Sequence, residues 1–140
     1  MTYKQIDRFV SFLQNNKYEV QTIGNGTDTF ANISMVKSKG FLTPSIMVCF
    51  TDMHYSKGED LLPQIESLQK QLNQNKFLII IAILPMNTEL TDNLWFSENV
   101  YTHFVMHDES SGRVCYETNF HYFGAKHVKR IIHLLEQSLL

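Results

Sequence analysis

The chain is 140 residues long, a length that fits one domain over 1–140. With 44% hydrophobic and 19% charged residues, and only 6 Gly and 3 Pro, a disordered or fibrous chain is excluded. A net charge of −2 gives no global basic field to draw in nucleic acid.

Ile6, Phe9, Val10 and Leu13 recur at i, i+3, i+4 and i+7, which predicts an amphipathic helix over the first 16 residues. Asn15-Asn16-Lys17 stops it, because asparagine tolerates the left-handed conformation that ends helices. Tyr18 to Ile23 alternates with period two and reads as a half-exposed strand. Gly24-Asn25-Gly26 is a hairpin turn into a return strand, Thr29 to Val36, with Ala31, Ile33 and Met35 on its apolar face. Lys37 to Gly40 is a turn. Residues 45–51 are apolar throughout and predict a central strand.

A second helix opens at Lys57-Gly58-Glu59-Asp60, with Asp60 as N-cap, and Pro63 is tolerated because it falls in the first turn. Its buried stripe is Leu61, Ile65, Leu68 and Leu72, and Asn73-Gln74-Asn75 ends it. Phe77 to Leu84 then runs through eight apolar residues, three of them consecutive isoleucines. β-Branching disfavours helix there, and the run is far short of the roughly 20 residues that cross a bilayer. It predicts a strand buried on both faces, delivered parallel to 45–51 by a right-handed helical crossover. Thr51-Asp52-Met53-His54 and Leu84-Pro85-Met86-Asn87 should then open on one edge of the sheet, the place to look for a functional pocket if the chain has one.

Met86 to Asp92 is a polar loop, and Leu94-Trp95-Phe96 fits no element by pattern. Val100 to His107 is a strand, Asp108 to Gly112 a turn, and Arg113 to Glu117 the returning arm of a hairpin. Val128, Ile131, Ile132, Leu135 and Leu139 mark a third amphipathic helix. The order α-β-β-β-α-β-β-β-α describes a three-layer α/β sandwich on a mixed central sheet.

No motif carries chemistry with high specificity. Cys49 and Cys115 lie in apolar strand-like runs, where free thiols behave as small hydrophobes. Gly24 to Thr29 lacks the third glycine and the following helix of a dinucleotide loop. No Gly-x-Ser-x-Gly elbow is present, and no catalytic residue can be named. His103 and His107 share a strand face but lie roughly 13 Å apart, too far for one ion. Asp52 and His54 are better placed: side chains at i and i+2 share a face, at the carboxyl end of a central strand, with Glu59 and Asp60 close in sequence. They are the candidate ligands of a divalent metal, set against the plain reading of a polar strand end, since zinc takes three or four protein ligands. No other cofactor is expected.

The α-β-β-β-α-β order is also that of the restriction-endonuclease-like fold. The resemblance implies an acid on the second core strand and a (D/E)-x-K on the third, but Ser45 to Thr51 has neither acid nor lysine. The shape is expected without its catalytic motif.

Arg113, Lys126, His127, Lys129 and Arg130 concentrate positive charge near the C-terminus. Lys126, Lys129 and Arg130 fall opposite the apolar stripe of the third helix, either as a solvated face or as a contact for a protein partner or anionic lipid headgroups. Tyr116, Phe120, Tyr122 and Phe123 adjoin this patch. Aromatics beside basic residues suit single-stranded nucleic acid, a weak signal against the acidic total.

In layout the chain resembles the cytosolic N-terminal domain of one group of bacterial rhomboid intramembrane proteases. The resemblance rests on the start helix Ile6 to Leu13, the strand Tyr18 to Gly24, the second strand and the apolar third strand. It continues through the long helix to about Leu72, the Phe77 to Leu84 strand and the last helix, Ala125 to Leu140, with its basic face. It implies a soluble module ahead of a membrane serine protease, whose Gly-x-Ser-Gly and histidine dyad has no counterpart in these residues. Met1 to Gln5 lacks the apolar core of a signal peptide, so a cytoplasmic location is expected, either free or tethered to the membrane through a following segment. A non-catalytic regulatory or interaction domain is the first expectation. The alternatives are a divergent metal-dependent hydrolase or nuclease at Asp52 and His54, and a stand-alone adaptor or oligomerisation domain.

Overall fold

The central strand β4 (Leu78–Pro85) buries side chains on both of its faces, and the rest of the molecule is arranged around it. Ile79, Ile81 and Ile83 join one apolar core, while Leu78, Ile80, Ala82 and Leu84 join another. In a computed structural model the described residues are 3–24, 30–38, 44–51, 58–73, 77–97 and 99–139.

The elements are α1 (Tyr3–Asn15), β1 (Tyr18–Gly24), β2 (Phe30–Ser38), β3 (Ser45–Thr51), a 3-10 turn (Gly58–Leu61), α2 (Leu62–Asn73) and β4, then β5 (Leu94–Ser97), β6 (Val100–His107), β7 (Val114–Cys115) and α3 (Ala125–Ser138). The sheet order is β1-β2-β3-β4-β6-β5, with β7 also paired to β6. β1, β2 and β3 form an antiparallel meander; β3, β4 and β6 are parallel; β5 and β7 run antiparallel to β6. The mixed sheet and its three helices make the expected α/β sandwich. Helices α1 and α3 pack together over one face, burying Phe9, Leu13, Val128, Ile131 and Leu135, and the 3-10 turn and α2 cover the other with Leu61 and Ile65.

Several expectations are corrected. Leu94-Trp95-Phe96 is a strand: β5 forms the outer edge of the sheet, pairing Leu94 with His103 and Ser97 with Val100, so four strands rather than three follow α2. Its alternation is hidden because an edge strand buries little, yet Leu94 packs into one core and Trp95 into the other. The returning arm after the Asp108 turn pairs over Val114–Cys115 alone, not over Arg113 to Glu117, because β5 already holds the first half of the same edge of β6. The left-handed residue after α1 is Lys17 (φ 68°), while Asn16 instead gives its side-chain amide to the Phe12 carbonyl at 2.7 Å. In β2, Ser34 and Val36 are buried while Met35 is half-buried, so apolar and polar residues alternate less cleanly than expected, and Lys37 and Ser38 still belong to the strand; the side chains of Ala31 and Ile33 lie outside the described residues. A 3-10 turn containing an exposed Asp60 precedes α2, so α2 starts at Leu62, two residues beyond Asp60, and Pro63 stands second in the helix. In α3 the stripe includes Leu134, and Leu139 is only partly buried. The turn over residues 25–29, and the side chains of Leu68 and Leu72, lie outside the described residues.

Gly124 shows why α3 starts where it does. It precedes the helix at φ 100°, a conformation that L side chains resist. A Cβ there would stand 2.7 Å from the Ile79 Cδ1 and 2.8 Å from the Pro44 Cγ. The start of α3 is thus seated on the beginnings of β3 and β4, at the amino edge of the parallel strands. Its far end reaches the carboxyl edge, where Leu139 meets Gly112 in the turn after β6.

Candidate functional site

The edge where β3, β4 and β6 end carries a cleft of about 410 Å³. Its floor is Phe50, Ile83, Leu84, Pro85 and Met86, and its polar lining is Thr51, Asn87, His107, Asp108, Glu109 and Ser110. The cleft follows from chain direction. Parallel strands end together, and the loop after β4 must cross the end of β6 to reach β5. The Met86 amide donates to the His107 carbonyl at 3.1 Å and holds that loop down. This cleft lies on the edge that Thr51 shares with Leu84 to Asn87.

His107, the last residue of β6, is 4% exposed, and its Nε2 finds no hydrogen-bond partner among the described residues. Burial holds the imidazole below its ordinary pKa, while the carboxylates of Glu109 and Asp108 pull it back upward. Asp108 is itself kept low by the Ser110 and Ser111 hydroxyls, which donate to it at 2.8 and 2.9 Å, and by the Ser110 amide at 3.0 Å. These bonds fold the 108–112 turn into the rim of the cleft.

Asp52 and His54 lie outside the described residues; β3 leads into the cleft at Thr51, one position before Asp52. Among the described residues no three His, Cys, Asp or Glu side chains are grouped as metal ligands. His103 and His107 remain separate, each in its own surroundings. Burial pushes His103 down to about 4, and its Nε2 hydrogen-bonds the Tyr122 hydroxyl, which burial holds above the usual tyrosine range. Cys49 is sealed between α2 and the sheet and pushed up to about 12 by burial, so it is no nucleophile. Cys115 is half-buried on β7; both thiols are free.

The opposite, amino edge has a different character. Phe96 and Phe123 are 58% and 64% exposed there. Phe96 leans on Tyr101 with ring centroids 4.5 Å apart, Tyr101 stacks on Tyr122 at 3.9 Å, and Phe77 meets Tyr101 edge-on at 5.9 Å. The basic residues stand in the first turns of α3, beside this aromatic row. Lys126 is exposed, Lys129 lies 4.9 Å over the Phe120 ring, and Arg130 donates to the Asn16 side chain at 3.0 Å. Tyr18 reaches His127 Nδ1 at 3.1 Å, joining β1 to α3, and burial with the charges of Lys126 and Arg130 keeps His127 below its ordinary pKa. The basic patch is thus partly engaged in holding the two helices and the Phe120 loop. From Lys126 to Leu139 the helix rises about 20 Å, at 1.5 Å per residue, so the patch and the end of α3 face opposite edges.

Sequence reasoning named the pocket edge and the basic residues. It missed Phe96 as part of an aromatic surface, because its strand was not assigned, and His107 as a cleft residue, because burial at a strand end depends on the loop that crosses it. No family model, characterised protein or solved structure matches the chain. Among the described residues no helix is long and apolar enough to cross a membrane.

Proposed function

We propose that the chain is a non-catalytic interaction domain that binds a protein partner through its amino edge. The supporting observation is the pair of exposed aromatics, Phe96 and Phe123, flanking the Tyr101–Tyr122 stack beside the basic start of α3. Aromatic residues ringed by polar and basic ones are the composition of binding hot spots. β5 adds an outer strand whose second edge is unpaired among the described strands, open to an added extended segment. The resemblance to the cytosolic domain of rhomboid proteases accords with such a module, standing beside a membrane enzyme and acting as its regulatory or docking part.

The test is photo-crosslinking in the native host, with p-benzoylphenylalanine in place of Phe96 or Phe123. One discrete protein adduct at both positions, lost when Tyr101 is changed to Ser, is expected. No adduct at either position would end the reading. Cosedimentation of the purified chain with phosphatidylserine vesicles, abolished by Lys126→Glu, would move the contact to a membrane surface. For the membrane-protease setting, the parent reading frame should run on into spans of roughly 20 apolar residues.

A second reading, a divergent metal-dependent hydrolase using Asp52 and His54, is favoured by one observation: β3 delivers the chain into the cleft at Thr51, where His107 also stands. Zinc, manganese or magnesium should then raise the melting temperature, and Asp52→Ala should remove the rise. An unchanged melting temperature with all three ions would exclude it.

A further inference from the structure

Resting on the interaction reading of the amino edge, we infer that β5 takes up an extended segment of the partner protein by strand addition at Phe96, and that this segment carries a lysine or arginine paired with Asp92. The Phe104 amide donates to the Asn93 carbonyl at 2.8 Å, in the register that sets Leu94 opposite His103 and Phe96 opposite Tyr101. Hydrogen-bonded pairs alternate along an antiparallel ladder. The N–H and C=O of Trp95 therefore turn toward β6, and those of Leu94 and Phe96 turn away from it. The Leu94 amide bears this out by donating to the Asp92 side chain at 3.3 Å. The Asp92 carboxylate thus stands on the outer edge of β5. Its backbone is held there as well, because its carbonyl accepts the Trp95 indole N–H at 2.9 Å.

At Leu94 the donor that an incoming carbonyl needs is already taken, and an anion stands in its place. A lysine or arginine side chain suits that position. At Phe96, about 7 Å along the strand, N–H and C=O face outward together and can form the paired bonds of an added strand. No strand lies beyond β5 among the described residues. The exposed Phe96 ring offers an apolar cross-strand neighbour. The surrounding charge agrees in sign with Asp92. From Phe77 to Gly112 the sequence carries Glu89, Asp92, Glu98, Asp108 and Glu109, and neither lysine nor arginine. On α2 the exposed Glu66 and Lys70 oppose each other in sign. The start of α3 is seated against Ile79 of β4, two strands inward, so it stands about 10 Å from β5 and about 15 Å from an added strand. That is beyond the screening length of about 8 Å in physiological salt, and Lys129 is occupied over the Phe120 ring. A second copy of this chain fits less well, since pairing β5 with itself would set one acidic edge against another.

The test is selection of a random peptide library, displayed on phage, against the immobilised chain, with the enriched peptides then titrated into the isotope-labelled chain. Peptides rich in β-branched or aromatic residues beside a lysine or arginine are expected, and their binding should protect the Phe96 amide from hydrogen exchange. Asp92→Asn keeps an oxygen for the Leu94 amide while removing the charge. It should weaken these peptides about fivefold at low salt and leave the Phe96 protection in place. Phe96→Pro removes the outward N–H without breaking the ladder to β6 and should abolish binding, whereas Phe96→Ala should only weaken it. Where Phe96→Pro fails to fold, protection of the Phe96 amide in the unaltered chain decides the same point. Failure to enrich any peptide, enrichment of peptides without a basic residue, or equal affinity for Asp92→Asn would overturn the inference. So would a dimer in sedimentation that Phe96→Pro dissolves. Peptides that shift Phe123 and Tyr101 without protecting Phe96 would overturn strand addition and leave the interaction face standing; absence of crosslinks from both Phe96 and Phe123 in the host would end the face itself.

Discussion

Histidine 103 illustrates how one side chain is set by its neighbours. Its ring lies 4.5 Å from that of Phe120, and Tyr122 holds its Nε2. In the folded chain it stays neutral down to about pH 4, whereas in the unfolded chain it takes a proton near 6.5. The unfolded state therefore binds more protons between these values. The stability that His103 contributes is complete above pH 6.5 and is lost as pH falls toward 4, by roughly 3 kcal/mol. His107 shifts in the same direction and adds to the slope. Urea unfolding at pH 7 and at pH 4.5 should show this loss, and His103→Leu should flatten it. At Gly124 the constraint is steric. Gly124→Ala must place a Cβ against Ile79 and Pro44 at φ 100°, and should cost about 2 kcal/mol in urea unfolding.

Among the elements, β4 and β5 are opposites. β4 is flanked by parallel partners on both sides and roofed on both faces, so each of its isoleucines is enclosed. Ile80→Ala should destabilise the chain by about 3 kcal/mol, the usual cost of a cavity in an apolar core. β5 has one partner strand and turns Phe96 outward, so Phe96→Ala should change stability by less than about 0.5 kcal/mol while removing part of the aromatic row. The same urea series measures both. A loss from Phe96→Ala as large as that from Ile80→Ala would show that the ring is packing rather than contact surface.

For the whole molecule, the two cores share β3 and β4 and should melt together. Leu13 lies under α1 on one face, and Trp95, the single tryptophan, packs into the other core. Leu13→Ala should therefore lower the midpoint seen by Trp95 fluorescence as much as that seen by far-ultraviolet circular dichroism. A fluorescence midpoint that stays in place while the dichroism midpoint falls would mean that the layers unfold separately. The same scale separates the two candidate edges. The amino edge gathers exposed aromatics and the basic turns of α3; the carboxyl edge gathers the cleft, Asp108 and Glu109.

The sequence by itself determined the elements with strong local patterns. Phe77 to Leu84 reads as a doubly buried strand because eight apolar residues with β-branching allow little else, and the helices over Ile6–Leu13 and Val128–Leu135 follow from a 3.6-residue stripe. The parallel pairing of β3 with β4, and hence the edge that holds the cleft, follows from the helix between them. Tertiary structure decided what has no local signature. Leu94–Ser97 became a strand because the edge of β6 was open to it. His107 became buried because the loop to β5 crosses its strand end. Lys129 and Arg130 became partly structural because Phe120 and Asn16 are brought beneath them. Local pattern reports which face of an element is apolar; it does not report which distant segment will come to rest on it, and both candidate sites are made of such meetings.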